Sequence, residues 1–375
     1  MKRFYMIAAA CLLVIGQTTA QLSLPPSGNN QKSVVRQYMA SEWVEIVYNS
    51  PDVDGREGKI WGQLVPYGLT NQGFGLSTAD NPSPWRAGAN QNTTIELSTE
   101  MEISGQKVAA GKYGLHMLAD ESSAWKVILT GENNAWGSYF FEASDKVLEA
   151  DAQRSENDFV EYLTYEFTNR KNDETTVNLK WENKKVSFAI SVPDMNDKIL
   201  AAVSSELKNS QGFNYLNFVQ AANWASGAGF HEEAMNWAEV AISAPFVGQK
   251  DFNTLSTKGT VLRNAGKVEE ANEVMDEAIK MSGVTAFQIH GYGRQLIAGG
   301  QADKALEVFK FNHKQNKGVW PTNYGLARGY SAVGDFKNAL KYLKIAKTKV
   351  PEGDTQNPPV IEANIKKLEQ GEDIN

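Results

Sequence analysis

The sequence predicts a two-part chain: an antiparallel β-sandwich over residues 21–193, then an α-helical solenoid of repeated helix pairs over 213–375, with a helical junction at 194–212 between them. Three observations predict it. Apolar residues recur with the period of strands from Glu42 to Val192 and with a helical period after Asp194. A glycine followed five residues later by an alanine returns four times in the second half. Charge divides at the same place: of the formal −7, residues 21–199 carry −9, residues 200–375 are neutral, and the first twenty residues are positive.

Lys2 and Arg3, an apolar run from Phe4 to Gly16 and then TTA before Gln21 have the three parts of a secretory signal peptide, residues 1–20, with cleavage expected near Ala20. The chain's one cysteine, Cys11, lies in that run. A lipoprotein reading of Cys11 competes, but the apolar stretch continues through Leu12, Leu13, Val14 and Ile15. The mature chain would then be periplasmic or secreted and free of thiols, which excludes disulfides, a thiolate nucleophile and Cys-ligated zinc. No later window approaches the length of a transmembrane helix, so none is expected in the mature chain. No basic patch points to nucleic acid.

Seven β-rich runs follow between turn residues: 42–49, 93–98, 112–118, 124–130, 160–168, 175–181 and 185–192. In VEYLTYEFT, Tyr162, Thr164 and Glu166 alternate with Leu163, Tyr165 and Phe167, the pattern of a half-buried strand. Many short strands without long intervening helices argue for an antiparallel sandwich or barrel.

The second half is a repeat. Gly229/Ala234, Gly266/Ala271, Gly300/Ala305 and Gly334/Ala339 align, and the alanines step by 37, 34 and 34 residues. Small residues recur seven positions on at Ala241, Ala278 and Ala346, with Asn312 the exception; Pro351 closes the last unit, and 358–370 reads as a terminal capping helix. Glycine permits the turn between paired helices, and alanine lets their backbones approach. These residues resemble the tetratricopeptide repeat. The resemblance implies a concave face lined by the first helix of each pair, and places there Asn223, then Arg263 and Asn264, then His290 and Arg294, then Tyr324 and Arg328. Arg294 and Arg328 fall one repeat apart, where two guanidinium groups would clamp a carboxylate of a protein or peptide partner. Solvated arginines, or arginines paired to acids of a neighbouring helix, are the plainer alternative.

In the β half, Ser50-Pro51, Gly55-Arg56, LVPYG at 64–68, WRAGAN at 85–90, Thr94, AGKYGL at 110–115 and WGSY at 136–139 resemble a bacterial family known as domain of unknown function 2911, usually exported. The likeness runs from about Leu24 to Val192 and implies no activity. The segment 69–84 departs from it as an insert. Arg56, Trp85, Arg86, Asn90 and Thr94, with Trp61 and Trp136 nearby, are candidates for a site taking a polar small molecule or glycan, tryptophan faces serving as platforms. The same residues also admit a purely structural reading, with arginines paired to acids and tryptophans in the core.

The chemical motifs are missing. The sequence contains no GxSxG, no GxxxxGK[ST] and no HExxH. PDVDGREG at 51–58 is not a calcium loop, because Gly55 comes two positions early and Gln63 stands where the bidentate glutamate belongs. His116, on a strand, reads as a packed or surface histidine. No metal or cofactor is implied. The chain therefore reads as an exported, non-catalytic interaction protein. The alternative is a hydrolase of glycans or cell-envelope material using Asp52, Asp54 or Glu57 beside Arg56 and Arg86; a glycosidase would need two carboxylates about 5–9.5 Å apart in one cleft.

Overall fold

The computed structural model describes residues 30–122 and 124–375. The expected export signal at 1–20, with Cys11, lies outside the described residues. By its internal contacts the chain divides into two compact units after Asp197.

The first unit holds nine strands among the described residues: β1 (Gln31–Met39), β2 (Glu42–Ser50), β3 (Thr93–Leu97), β4 (Met101–Ile103), β5 (Gln106–Val108), β6 (Gly111–Leu118), β7 (Ala124–Thr130), β8 (Lys146–Thr168) and β9 (Glu174–Ser191). They form one open antiparallel sheet in the order β1-β2-β3-β6-β7-β8-β9-β4-β5. The two layers expected of a sandwich are therefore successive stretches of a single sheet. The register of β8 against β9 slips between Glu156 and Thr164, and such bulges let a long strand bend. Beyond the bend, β8 meets the segment leaving β2: Leu163 donates its N–H to Pro51 O at 2.9 Å, and Val53 donates to Glu161 O at 2.9 Å. Leu163, Tyr165 and Phe167 are buried on the inner face, as their alternation requires. The sequence reading missed β1 and the short β4–β5 hairpin, and it cut β9 into two strands.

The second unit begins within α1 (Met195–Glu206) and continues as four hairpins, α2 (Tyr215–Gly227) with α3 (His231–Ser243), α4 (Phe252–Asn264) with α5 (Val268–Ala278), α6 (Ala286–Ala298) with α7 (Ala302–Gln315), and α8 (Trp320–Ala332) with α9 (Phe336–Lys349), closed by α10 (Asn357–Glu369). Gly229, Gly266, Gly300 and Gly334 all sit at positive φ between the paired helices, the conformation for which the repeat selects glycine. Ala234, Ala271, Ala305 and Ala339 are fully buried, as are Ala241, Ala278 and Ala346. Asn312, the exception in that series, is equally buried and donates to Ala286 O at 2.8 Å, tying α7 to the start of α6.

Close approach is most extreme around Phe309 of α7, which is fully buried. A Cβ built on Gly293 of α6 would lie 2.5 Å from its ring, and one on Gly325 or Gly329 of α8 would lie 2.6 or 2.9 Å away. Three glycines thus form the socket for one phenylalanine.

Local capping is strong at α4. The Asp251 carboxylate accepts from Thr254 N at 2.9 Å while Thr254 Oγ1 accepts from Asp251 N at 3.1 Å. Asp251→Ala is expected to cost about 1 kcal/mol, read as a lowered urea midpoint followed by far-UV ellipticity; an unchanged midpoint would show that this cap contributes nothing.

Candidate functional site

The connection from residue 51 to residue 92 carries no named strand or helix, and connections of such length are usually functional. It builds most of a cavity of about 440 Å³ whose lining includes Arg56, Trp85, Arg86, Asn90, Tyr139 and Trp181. Of the β-half candidates, Arg56, Trp85, Arg86 and Asn90 thus meet. Thr94 does not join them; it is buried near the start of β3 and lines a separate cleft of about 150 Å³.

The two arginines differ. Arg56 is tied down locally, donating from Nη2 to Asp52 Oδ1 at 3.1 Å and from Nε to Val53 O at 2.8 Å. Arg86 donates from Nη1 to Asn90 O at 2.7 Å and lies over the Tyr139 ring at 4.8 Å, and no ion pair to it exists among the described residues. Gly137 gives it room, since a Cβ there would sit 2.2 Å from the guanidinium carbon. The loop that presents Arg86 carries two non-glycine residues in the left-handed region, Ala87 at φ 53° and Asn90 at φ 59°.

Of the tryptophans named from the sequence, Trp61 and Trp85 pack together with Trp125 and Trp181. Trp61 packs edge-on against Trp85, Trp125 and Trp181 with centroids 5.4–5.8 Å apart, and Trp85 stacks on Trp181 at 6.3 Å. Trp136 stands apart and is half exposed. Sequence reasoning missed Trp181 because its strand looked like any other two-sided strand. His116 is buried between Ser138 Oγ at 2.9 Å and Thr130 Oγ1 at 3.2 Å. Burial, and after it the charge of Arg86, pushes its imidazole down to about 4.

The acids proposed for hydrolysis are not arranged for it. Asp52 is paired to Arg56, Asp54 and Glu57 are exposed, and none of the three lines the cavity. No Asp or Glu lines it among the described residues.

On the helical half, the first helices are stitched side by side. Asn264 Nδ2 donates to Ser226 Oγ at 2.9 Å, linking α4 to α2; Arg263 Nη1 donates to Gln295 Oε1 at 3.4 Å, linking α4 to α6. His290 lies 6.1 Å from the Tyr324 ring, and Tyr324 accepts from Asn364 Nδ2 of α10 at 2.7 Å. Asn264 and Arg263 are thus engaged between repeats, and Tyr324 is buried rather than offered to a groove. Asn223 is exposed. Arg294 is exposed, and neither it nor Arg328 forms an ion pair among the described residues. Arg328 lies over Tyr324 at 4.9 Å and donates from Nη1 to Asn375 Oδ1 at 3.2 Å. His290 registers both charges: burial first, then Arg328 and Arg294, push it down to about 4. Phe287, 62% exposed, meets Trp320 at 6.0 Å, and Trp320 stacks on Tyr324 at 6.5 Å. This aromatic row beside the arginines was missed by sequence reasoning; its signal was an aromatic residue at the opening of both α6 and α8.

An open antiparallel sheet unit followed by four helical hairpins and a closing helix defines a two-unit chain, a β unit and a helical-repeat unit. Residues 30–190 match the family model described as Protein of unknown function (DUF2911). Among solved structures the chain is similar to YrrB, described as a TPR protein with an unusual peptide-binding site, at 20% identity over 46% of this chain and 83% of that one, with a TM-score of 0.31. It is also similar to MamA, at 18% identity over 41% and 81% with a TM-score of 0.31, and to a thermophilic TPR protein of Thermus thermophilus, at 15% over 47% and 91% with a TM-score of 0.32. No curated protein matches the chain.

Proposed function

We propose that this is an exported interaction protein whose α6–α8 face captures an acidic, aromatic- or aliphatic-bearing segment of a protein partner. One observation carries the binding reading: Arg294 and Arg328, at equivalent positions one repeat apart, form no ion pair among the described residues. The exposed Phe287 ring against the half-buried Trp320 beside them offers area for an apolar side chain, the pairing of anchor and charge that peptide grooves use. Export rests on the signal-like segment at 1–20 and on the absence of cysteine after it.

The test is fluorescence anisotropy of the full chain with labelled peptides of alternating Glu and Leu, against matched Lys and Leu peptides. The acidic peptide should bind and the basic one should not. Arg294→Gln/Arg328→Gln should weaken capture tenfold or more, about 1.4 kcal/mol, and added salt should weaken it as well. Equal binding of both peptides, or an unaffected double variant, would remove the proposal.

A further inference from the structure

From the β-unit cavity we infer a binding site for a small organic monocarboxylate, recognised by Arg86. The volume of about 440 Å³ suits a small molecule, and the walls combine the aromatic faces of Trp85, Trp181 and Tyr139 with a few polar groups.

Charge decides the ligand class. The unit is strongly acidic, yet its cavity is lined by two guanidinium groups and by no carboxylate among the described residues. Asp52 offsets Arg56, so one positive charge, on Arg86, is left uncompensated. A half-buried guanidinium with one nitrogen committed to Asn90 O keeps further donors for a planar, singly charged oxygen pair. A dianionic phosphate would bring a second negative charge that nothing in the lining matches. Trp181 contributes apolar indole surface to the wall.

The site is built rather than incidental. Arg86 is held from three sides, by Asn90 O, by the Tyr139 ring and by the Gly137 backbone. The left-handed Ala87 beside it is fixed by its carbonyl, which accepts from Tyr165 Oη at 3.0 Å and from Thr93 Oγ1 at 3.1 Å. Such conformations persist where surrounding structure imposes them, and they cluster at ligand sites. The segment 69–84 completes the wall through Thr70, Gln72 and Ser83, and it positions the ring under Arg86, since Leu76 N and Ser77 N both donate to Tyr139 O at 2.8 and 3.1 Å.

The experiment titrates the full chain with phenylacetate, its neutral isostere phenylacetamide and inorganic phosphate, followed by tryptophan fluorescence and calorimetry. Phenylacetate should bind at least tenfold more tightly than either of the others. Arg86→Gln should abolish that preference while near-UV circular dichroism shows an intact fold, and Arg86→Lys should restore part of it. No saturable binding of phenylacetate in the millimolar range, preference for phosphate, or a preference that survives Arg86→Gln would overturn the inference. Arg294→Gln/Arg328→Gln should not alter phenylacetate binding, so this site and the repeat face fail or stand separately.

Discussion

Phe309→Ala is expected to destabilise the helical unit by about 3–5 kcal/mol. The side chain is fully buried, and its ring occupies a socket whose walls on α6 and α8 are glycine. Glycine has no side chain to swing into the vacated space, so the void must close by moving whole helices, which close packing of Leu296, Val308 and Leu326 resists. The converse change, Gly325→Ala, places a methyl 2.6 Å from the ring and should cost about 1–3 kcal/mol by overpacking. Urea unfolding followed by far-UV ellipticity checks both. If Phe309→Ala melts with the native protein, the glycine socket is not holding the third and fourth hairpins together.

Acidification is expected to destabilise the β unit through His116. The imidazole is pushed down to about 4 in the folded protein, from an ordinary value near 6.5, chiefly by burial. Above about pH 6.5 it is neutral in both states and has no effect. As the pH falls between these values the unfolded chain takes up a proton that the folded chain refuses, so stability drops, by about 2 kcal/mol at pH ~5 and about 3 kcal/mol once below the folded value. His116→Gln, which can still bond to Ser138 and Thr130, should lose this slope. Denaturant midpoints of both proteins at neutral and mildly acid pH decide it; parallel losses would mean that other groups are responsible. His290 works in the same direction on the helical unit.

The helical half was legible because its repeat writes the same physical demand four times: a left-handed residue at each turn and a small residue at each crossing, met by Gly266 and Ala271, Gly300 and Ala305. The strands were legible where one face is buried and the other wet, as at Leu163, Tyr165 and Phe167. β1 escaped because it is an edge strand whose outer residues, Val34 and Tyr38, stay more than half exposed, blurring the alternation. At the sites, residue type alone could not separate Arg56 from Arg86, or an available Arg294 from Arg263 held by Gln295. Those differences rest on which acid or carbonyl the fold brings alongside, a matter of long-range geometry. For the same reason Trp181 joined a cavity with Trp85 although β9 gave no hint of it.

The bend in β8 that brings residues 161–163 onto 51–53 has a consequence in time. These partners are separated by most of the β unit's length, so the chain must close a large loop before the contact repays it, and topologies dominated by such pairings fold slowly. Each hairpin of the helical unit joins neighbours a few tens of residues apart and can add onto the one before it. A chain emerging from its N-terminus thus presents its slow-folding half first and its fast-folding half second.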